Sequence, residues 1–149
     1  MVPGAPALRG DVLAARNLRS RLAMSVPFTY RDLDVWKQGM DLVERCYLAT
    51  ASFPRSELYG LTSQLRRAAV SIPANVSEGH CRRTTKAYAN HVSIAIGSHG
   101  ELETYIELAG RLGFLSQDER DRMLEASHSV GRLLNGLYRA LARKIDPNP

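Results

Sequence analysis

Cysteine is scarce in this chain: Cys46 and Cys81 are the only two in 149 residues. Two thiols cannot build a disulfide framework, which points to reduced cysteines in a cytoplasmic protein. Long apolar runs are also missing. None approaches the ~18 residues of a membrane span, so no membrane partner is expected. Period-two alternation is missing as well, and no strand signal competes with helix. There is no glycine-rich phosphate loop and no nucleophile elbow. No histidine stands in a recognisable pattern with a serine or cysteine. An enzyme reading therefore has no residues from which to assemble a site.

Metal ligands are equally thin. Glu125-Ala126-Ser127-His128 has the Glu-x-x-His spacing of di-iron bundles. Met123, Ser127 and Val130 define the inward face there, which turns Glu125 and His128 outward, and no second such pair exists. His80-Cys81 lacks zinc spacing. No metal or other cofactor is expected. Asn75-Val76-Ser77 fits the glycosylation sequon by chance, since it falls within a helix.

The remaining composition suits one globular domain, with 44% hydrophobic and 23% charged residues. The length suffices to bury a core without staples. The net charge of +5 is unevenly spread. Residues 1–23 carry four arginines against one aspartate, which leaves +2 for residues 24–149. The tail is rich in Ala, Arg, Pro and Gly, and Met24 follows it at once. It resembles a transit peptide in being Arg-rich and acid-poor, and it also reads as a disordered tail. The preferred reading is an upstream extension, with translation starting at Met24 and a single domain over 24–149. Residues 1–23 show no helical stripe that a core could use. Thermal melts of chains starting at Met1 and at Met24 should therefore agree, and a loss of several degrees on truncation would contradict this.

Apolar periodicity places four helices, at about 31–52, 57–78, 84–112 and 117–144. In the first, Leu33, Trp36, Met40, Val43 and Tyr47 form the expected core stripe. Thr29 with Asp32 makes its capping box. In the second, Ser56 is the expected cap and Leu58, Leu61, Leu65, Ala68, Ile72 and Val76 the stripe. Pro73 falls inside that rhythm without breaking it, so a kink is expected, not a stop. Gly79 reads as the residue just past the end. In the third, the stripe is Tyr88, Val92, Ala95, His99, Leu102, Ile106 and Ala109. Gly97 and Gly100 inside it imply close approach of another helix. In the fourth, Ser116 with Glu119 is a capping box before Met123, Ser127, Val130, Leu134, Leu137 and Leu141. Four long amphipathic helices with short connections make an all-α, antiparallel up-down-up-down four-helix bundle.

The chain from Phe28 to about Leu141 resembles the 23S rRNA intervening-sequence proteins. The resemblance rests on RDLDVWKQGMDLV, FPRSELYGLTSQLRRAAVSIPANVSEG, IAIGSHGELET and LGFLS, in that order. His99 and Gly100 stand where that family more often has an apolar and a small residue. The resemblance implies a pentameric ring of bundles and a role involving RNA. A related accessory protein of diversity-generating retroelements binds nucleic acid and a reverse transcriptase, which implies a possible protein partner here.

Three candidate sites follow. Arg66, Arg67, Arg82, Arg83 and Lys86 are opposed over residues 60–100 only by Glu78, a local charge of +4 that suits phosphate. No aromatics are interleaved with them in sequence, so base readout is not indicated. Ser71, Pro73, Asn75, Ser77 and Glu78 form a polar cluster at the expected kink. Asn75 and Ser71 would satisfy carbonyls freed by Pro73, and Glu78 would pair with Arg82 or Arg83. The alternative there is a polar notch for a ligand or partner. Val35, Leu42 and Ala49, with Ile94, Leu108 and Leu133, lie beside the core stripes and suggest a homo-oligomer interface. The favoured function is an oligomeric, non-enzymatic RNA-associated bundle. Its rival is a protein–protein adaptor that docks a partner enzyme, with nucleic acid contact incidental.

Overall fold

The computed structural model describes residues 27–148, so the expectation for residues 1–23 lies outside the described residues. Four α-helices carry the fold: α1 Asp34–Thr50, α2 Leu61–His80, α3 Thr85–Arg111 and α4 Gln117–Ile145. Each packs on its neighbour in sequence, and α1 closes the square against α4. Short connections between long neighbours give the expected antiparallel bundle. Leu42, Leu65, Ile72, Leu102, Ile106 and Leu134 fill its centre and are almost fully buried.

Local chemistry explains where the ends differ from expectation. The Thr29–Asp32 capping box forms, but it caps a 3-10 turn at Tyr30–Asp32. Leu33 then adopts extended backbone, and α1 begins only at Asp34. Ser56 does not start α2. Arg55–Glu57 is another 3-10 turn, and the Glu57 carboxylate accepts from the Leu61 backbone N–H at 2.9 Å. A carboxylate reaching forward thus replaces the usual cap. Leu58 is left outside the helix and half exposed. The capping box expected for α4 forms as read, with Ser116 accepting from the Glu119 N–H, and α3 is capped by Thr84, which accepts from the Ala87 N–H.

Helix α1 is rotated from expectation, with Leu33, Trp36 and Val43 of the expected stripe only partly buried against the core. Its buried residues are Val35, Gly39, Leu42, Cys46 and Thr50. Met40 and Tyr47 point outward. Both stripes have helical spacing, so periodicity alone cannot choose between them. Packing chooses the one with the small residue. A Cβ on Gly39 would stand 3.4 Å from the Pro73 Cβ, so the two helices are in close contact there. α2 runs through Pro73 without interruption, and the proline ring is buried against this glycine.

The other close approaches are also not those expected. Nothing lies within 4 Å of a Cβ added at Gly97 or Gly100. Gly79, read as a terminator, is inside α2 and buried. A Cβ there would meet Tyr88 and His91 at 2.8 Å. Gly97→Ala should therefore stabilise the fold by about 0.5–1 kcal/mol, because it adds helix propensity in open space. Gly79→Ala should destabilise it, by about 1–3 kcal/mol, because the new methyl group meets packed atoms of α3. Urea denaturation of the two variants checks the opposite signs.

The two thiols differ sharply. Cys46 is buried in the core, and that burial pushes its thiol up to about 12. Cys81 is exposed in the α2–α3 turn. An aromatic disulfide reagent at pH 8 should titrate one thiol promptly and the second only after denaturant is added. Prompt release of two equivalents would contradict this core assignment.

Candidate nucleic-acid interface

The basic residues of α2 and the following turn divide into two groups. At the N-terminal end, Arg66 is pinned between α1 and α2. Its Nε donates to Thr50 Oγ1 at 2.8 Å, and its guanidinium lies 4.5 Å from the centre of the Tyr47 ring. Thr50 Oγ1 itself donates to the Cys46 carbonyl, which fixes the acceptor. Arg67, one position on, turns about 100° away and is exposed. Glu101 lines a small hollow beside Arg67. The Glu101 carboxylate accepts from the Tyr105 hydroxyl at 2.8 Å, and this hydrogen bond raises the Tyr105 pKa. Among the described residues, no ion pair forms to Arg66 or Arg67.

The second group, Arg82, Arg83 and Lys86, lies about 24 Å along the bundle by helical rise. Arg82 is held by Glu78 in an exposed i,i+4 pair. Such pairs contribute little to stability. Arg83 and Lys86 are exposed and form no ion pair among the described residues.

No aromatic is interleaved with these arginines in sequence, but the fold brings aromatics beside them. Tyr47 from α1 and Tyr59 from the α1–α2 connection join Arg66 and Arg67 along one open groove of about 590 Å³. Tyr59 is 93% exposed. At the other end, Phe28, Tyr30 and Tyr88 surround the His80 ring at 5.7–6.4 Å, and Phe28 is mostly exposed. Tyr59 and Tyr88 lie within seven positions of an arginine, whereas Tyr47 is 19 positions from Arg66, and only the face of α1 seen here brings those two together.

The polar cluster around Pro73 is a seam between α2 and α3. Asn75 Nδ2 donates to the Ser71 carbonyl at 2.8 Å. It does not reach the carbonyl of Ala69, the one that Pro73 leaves without its N–H partner. Ser71 Oγ bonds Ser98 Oγ at 2.7 Å, and Asn75 Oδ1 faces His91 Nδ1 at 3.2 Å. Ser77 Oγ donates to the Ala74 carbonyl. No buried side-chain polar atom among the described residues lacks a partner, so nothing in this cluster is left waiting for a ligand.

His99, Ser127 and Glu103 come together in the α3–α4 contact. Ser127 Oγ donates to Glu103 Oε1 at 3.0 Å and lies 3.0 Å from His99 Nε2. That nitrogen also lies 2.8 Å from the Ser127 carbonyl, which can only accept. Nε2 must therefore carry the proton and cannot accept one from the hydroxyl. Ser127 is also completely buried. The trio packs two helices and lacks the arrangement of a nucleophile with its base. His128 reaches Glu103 at 3.4 Å from its exposed position. Among the described residues, no group of three or more His, Cys, Asp or Glu side chains is placed to hold a metal ion. Nor is any helix among them long and apolar enough to cross a membrane.

The interface residues expected from sequence need correction. Val35 and Leu42 are core residues, 5% and 1% exposed, and are not available to a second copy. Ala49 and Leu133 are partly buried against the same core. Ile94 and Leu108 remain exposed on α3.

Four long helices without a strand among the described residues define the chain as an all-α four-helix-bundle protein. The chain matches the 23S rRNA-intervening sequence protein model over residues 31–136, and it belongs to that family. Its fold is similar to that of a Bacteroides thetaiotaomicron protein of unknown function from the S23 ribosomal protein family. That likeness has a TM-score of 0.65 at 20% identity, over 70% of this chain and 97% of the other. The curated proteins include no match.

Proposed function

We propose that this protein is a non-enzymatic, homo-oligomeric bundle that associates with RNA in the cytoplasm through a basic surface repeated on each subunit. The observation that carries the reading is the set Arg66 and Arg67 on α2, Arg83 in the following turn and Lys86 in the first turn of α3, none of which forms an ion pair among the described residues. Cations without a carboxylate partner, on a rigid helical frame, recruit phosphate and release its counterions. One subunit offers two small spots, so repetition in a ring would supply avidity. Ile94 and Leu108, exposed on α3, support self-association, and a pentamer is the proposed form.

The rival reading, an adaptor that docks a partner enzyme such as a reverse transcriptase, draws on Leu48, Leu58 and Leu112, each at least half exposed.

The test is Arg83→Glu with Lys86→Glu in the full chain. Both side chains are solvated, so the melting temperature should hold. RNA binding should weaken by about tenfold or more. The salt dependence should flatten by about 0.7–0.9 in slope per lost phosphate contact. Unchanged binding by a variant that keeps its oligomeric mass would move the adaptor reading to first place.

A further inference from the structure

Given an RNA partner, we infer that the groove between α1 and α2 seats unpaired bases, with Tyr59 and the Tyr47–Arg66 stack as the platform. The groove belongs to the N-terminal basic spot. Among the described residues, its charged lining residues are Arg66 and Arg67, and no carboxylate lines it. Leu58 and Val70 supply apolar floor. Its volume lies within the range of small-molecule sites.

Tyr59 carries the inference. It contributes nothing to the core at 93% exposure, and it stands in the α1–α2 connection beside a turn held by the Glu57–Leu61 hydrogen bond. A large ring presented to water beside two arginines suits a partner with flat faces and negative charge together. Phosphate alone would need only the arginines. An acidic peptide would gain its attraction from the same arginines and leave the ring unused. Unpaired nucleotides use both, because a base stacks on tyrosine while its phosphate meets a guanidinium. The Arg66 guanidinium already covers one face of Tyr47 at 4.5 Å, so a planar cationic surface is preformed and held by Thr50. Ring stacking does not select a base, so the groove prefers single strands over duplex without reading sequence.

The experiment uses the full chain and three labelled probes of about 12 nucleotides. These are a uridine strand, a duplex of equal length and an abasic strand that keeps the phosphates without bases. The wild-type protein should bind the uridine strand about tenfold tighter than the abasic strand. Tyr59→Ala should reduce that preference to the part supplied by the Tyr47–Arg66 stack and leave the abasic affinity unchanged. Tyr59→Phe should restore it. The ring is solvated, so the melting temperature is the internal check on folding.

Equal wild-type affinity for uridine and abasic strands would overturn the inference and leave RNA association standing through phosphate alone. Absence of binding to all three probes would remove both. A fall in oligomeric mass on Tyr59→Ala would show that a second copy covers the groove. Displacement of the uridine strand by polyglutamate, with loss of polyglutamate binding in Tyr59→Ala, would assign the groove to an acidic protein. Either of these last two results overturns the inference.

Discussion

Leu42→Ala should cost about 3 kcal/mol of stability and lower the melting temperature by roughly 10 °C, without releasing subunits from an oligomer. Leu42 is 1% exposed and sits on the inward stripe of α1 with Val35 and Cys46. Truncation removes its buried methyl groups and leaves a cavity, because Gly39 and Pro73 already hold α1 and α2 close. Met40→Ala, two positions away on the outward face, should cost well under half as much. Thermal unfolding and light scattering on the same samples separate the outcomes. A normal melt with a lower mass for Leu42→Ala would return this residue to an interface.

The α3–α4 seam should show strong coupling between His99 and Gly131. A Cβ on Gly131 would meet the His99 ring at 2.6 Å. The ring cannot move freely, because its Nε2 donates to the Ser127 carbonyl at 2.8 Å. Gly131→Ala alone should cost about 1–3 kcal/mol through overpacking. His99→Ala alone should cost about 2–4 kcal/mol, through the void and the unpaired carbonyl. In the double variant the alanine at 131 occupies space that the ring has vacated. Its cost should fall short of the sum by at least about 1 kcal/mol. Additive costs in a urea double-mutant cycle would show that the two positions do not share this space.

Helices α2, α3 and α4 were legible because each carries one dominant stripe, and all the expected stripe residues within those helices are buried or partly buried. Helix α1 carries two stripes of similar strength, and the choice between them rests on a Gly39–Pro73 contact with no local signature. The glycines misled for a related reason. Composition marks Gly97 and Gly100 as unusual, but a close approach depends on the neighbouring helix, and it is found at Gly39, Gly79 and Gly131 among others. The same limit hid the groove. Arg66 and Arg67 are plain in sequence, whereas Tyr47 is 19 positions away and was assigned to the wrong face. The pairing of Glu78 with Arg82 was readable because it is an i,i+4 contact at a helix end.

The association with RNA is tested most directly by a salt titration of binding. Anisotropy of a labelled single-stranded RNA would be followed with the full chain as salt rises from low to physiological concentration. Two phosphate contacts, the fewest that the paired arginines of one groove imply, predict log K falling against log salt with a slope of about −1.4 or steeper. Arg66→Ala with Arg67→Ala should flatten that slope. Binding that does not respond to salt, or no binding at the lowest salt concentration, would contradict the account.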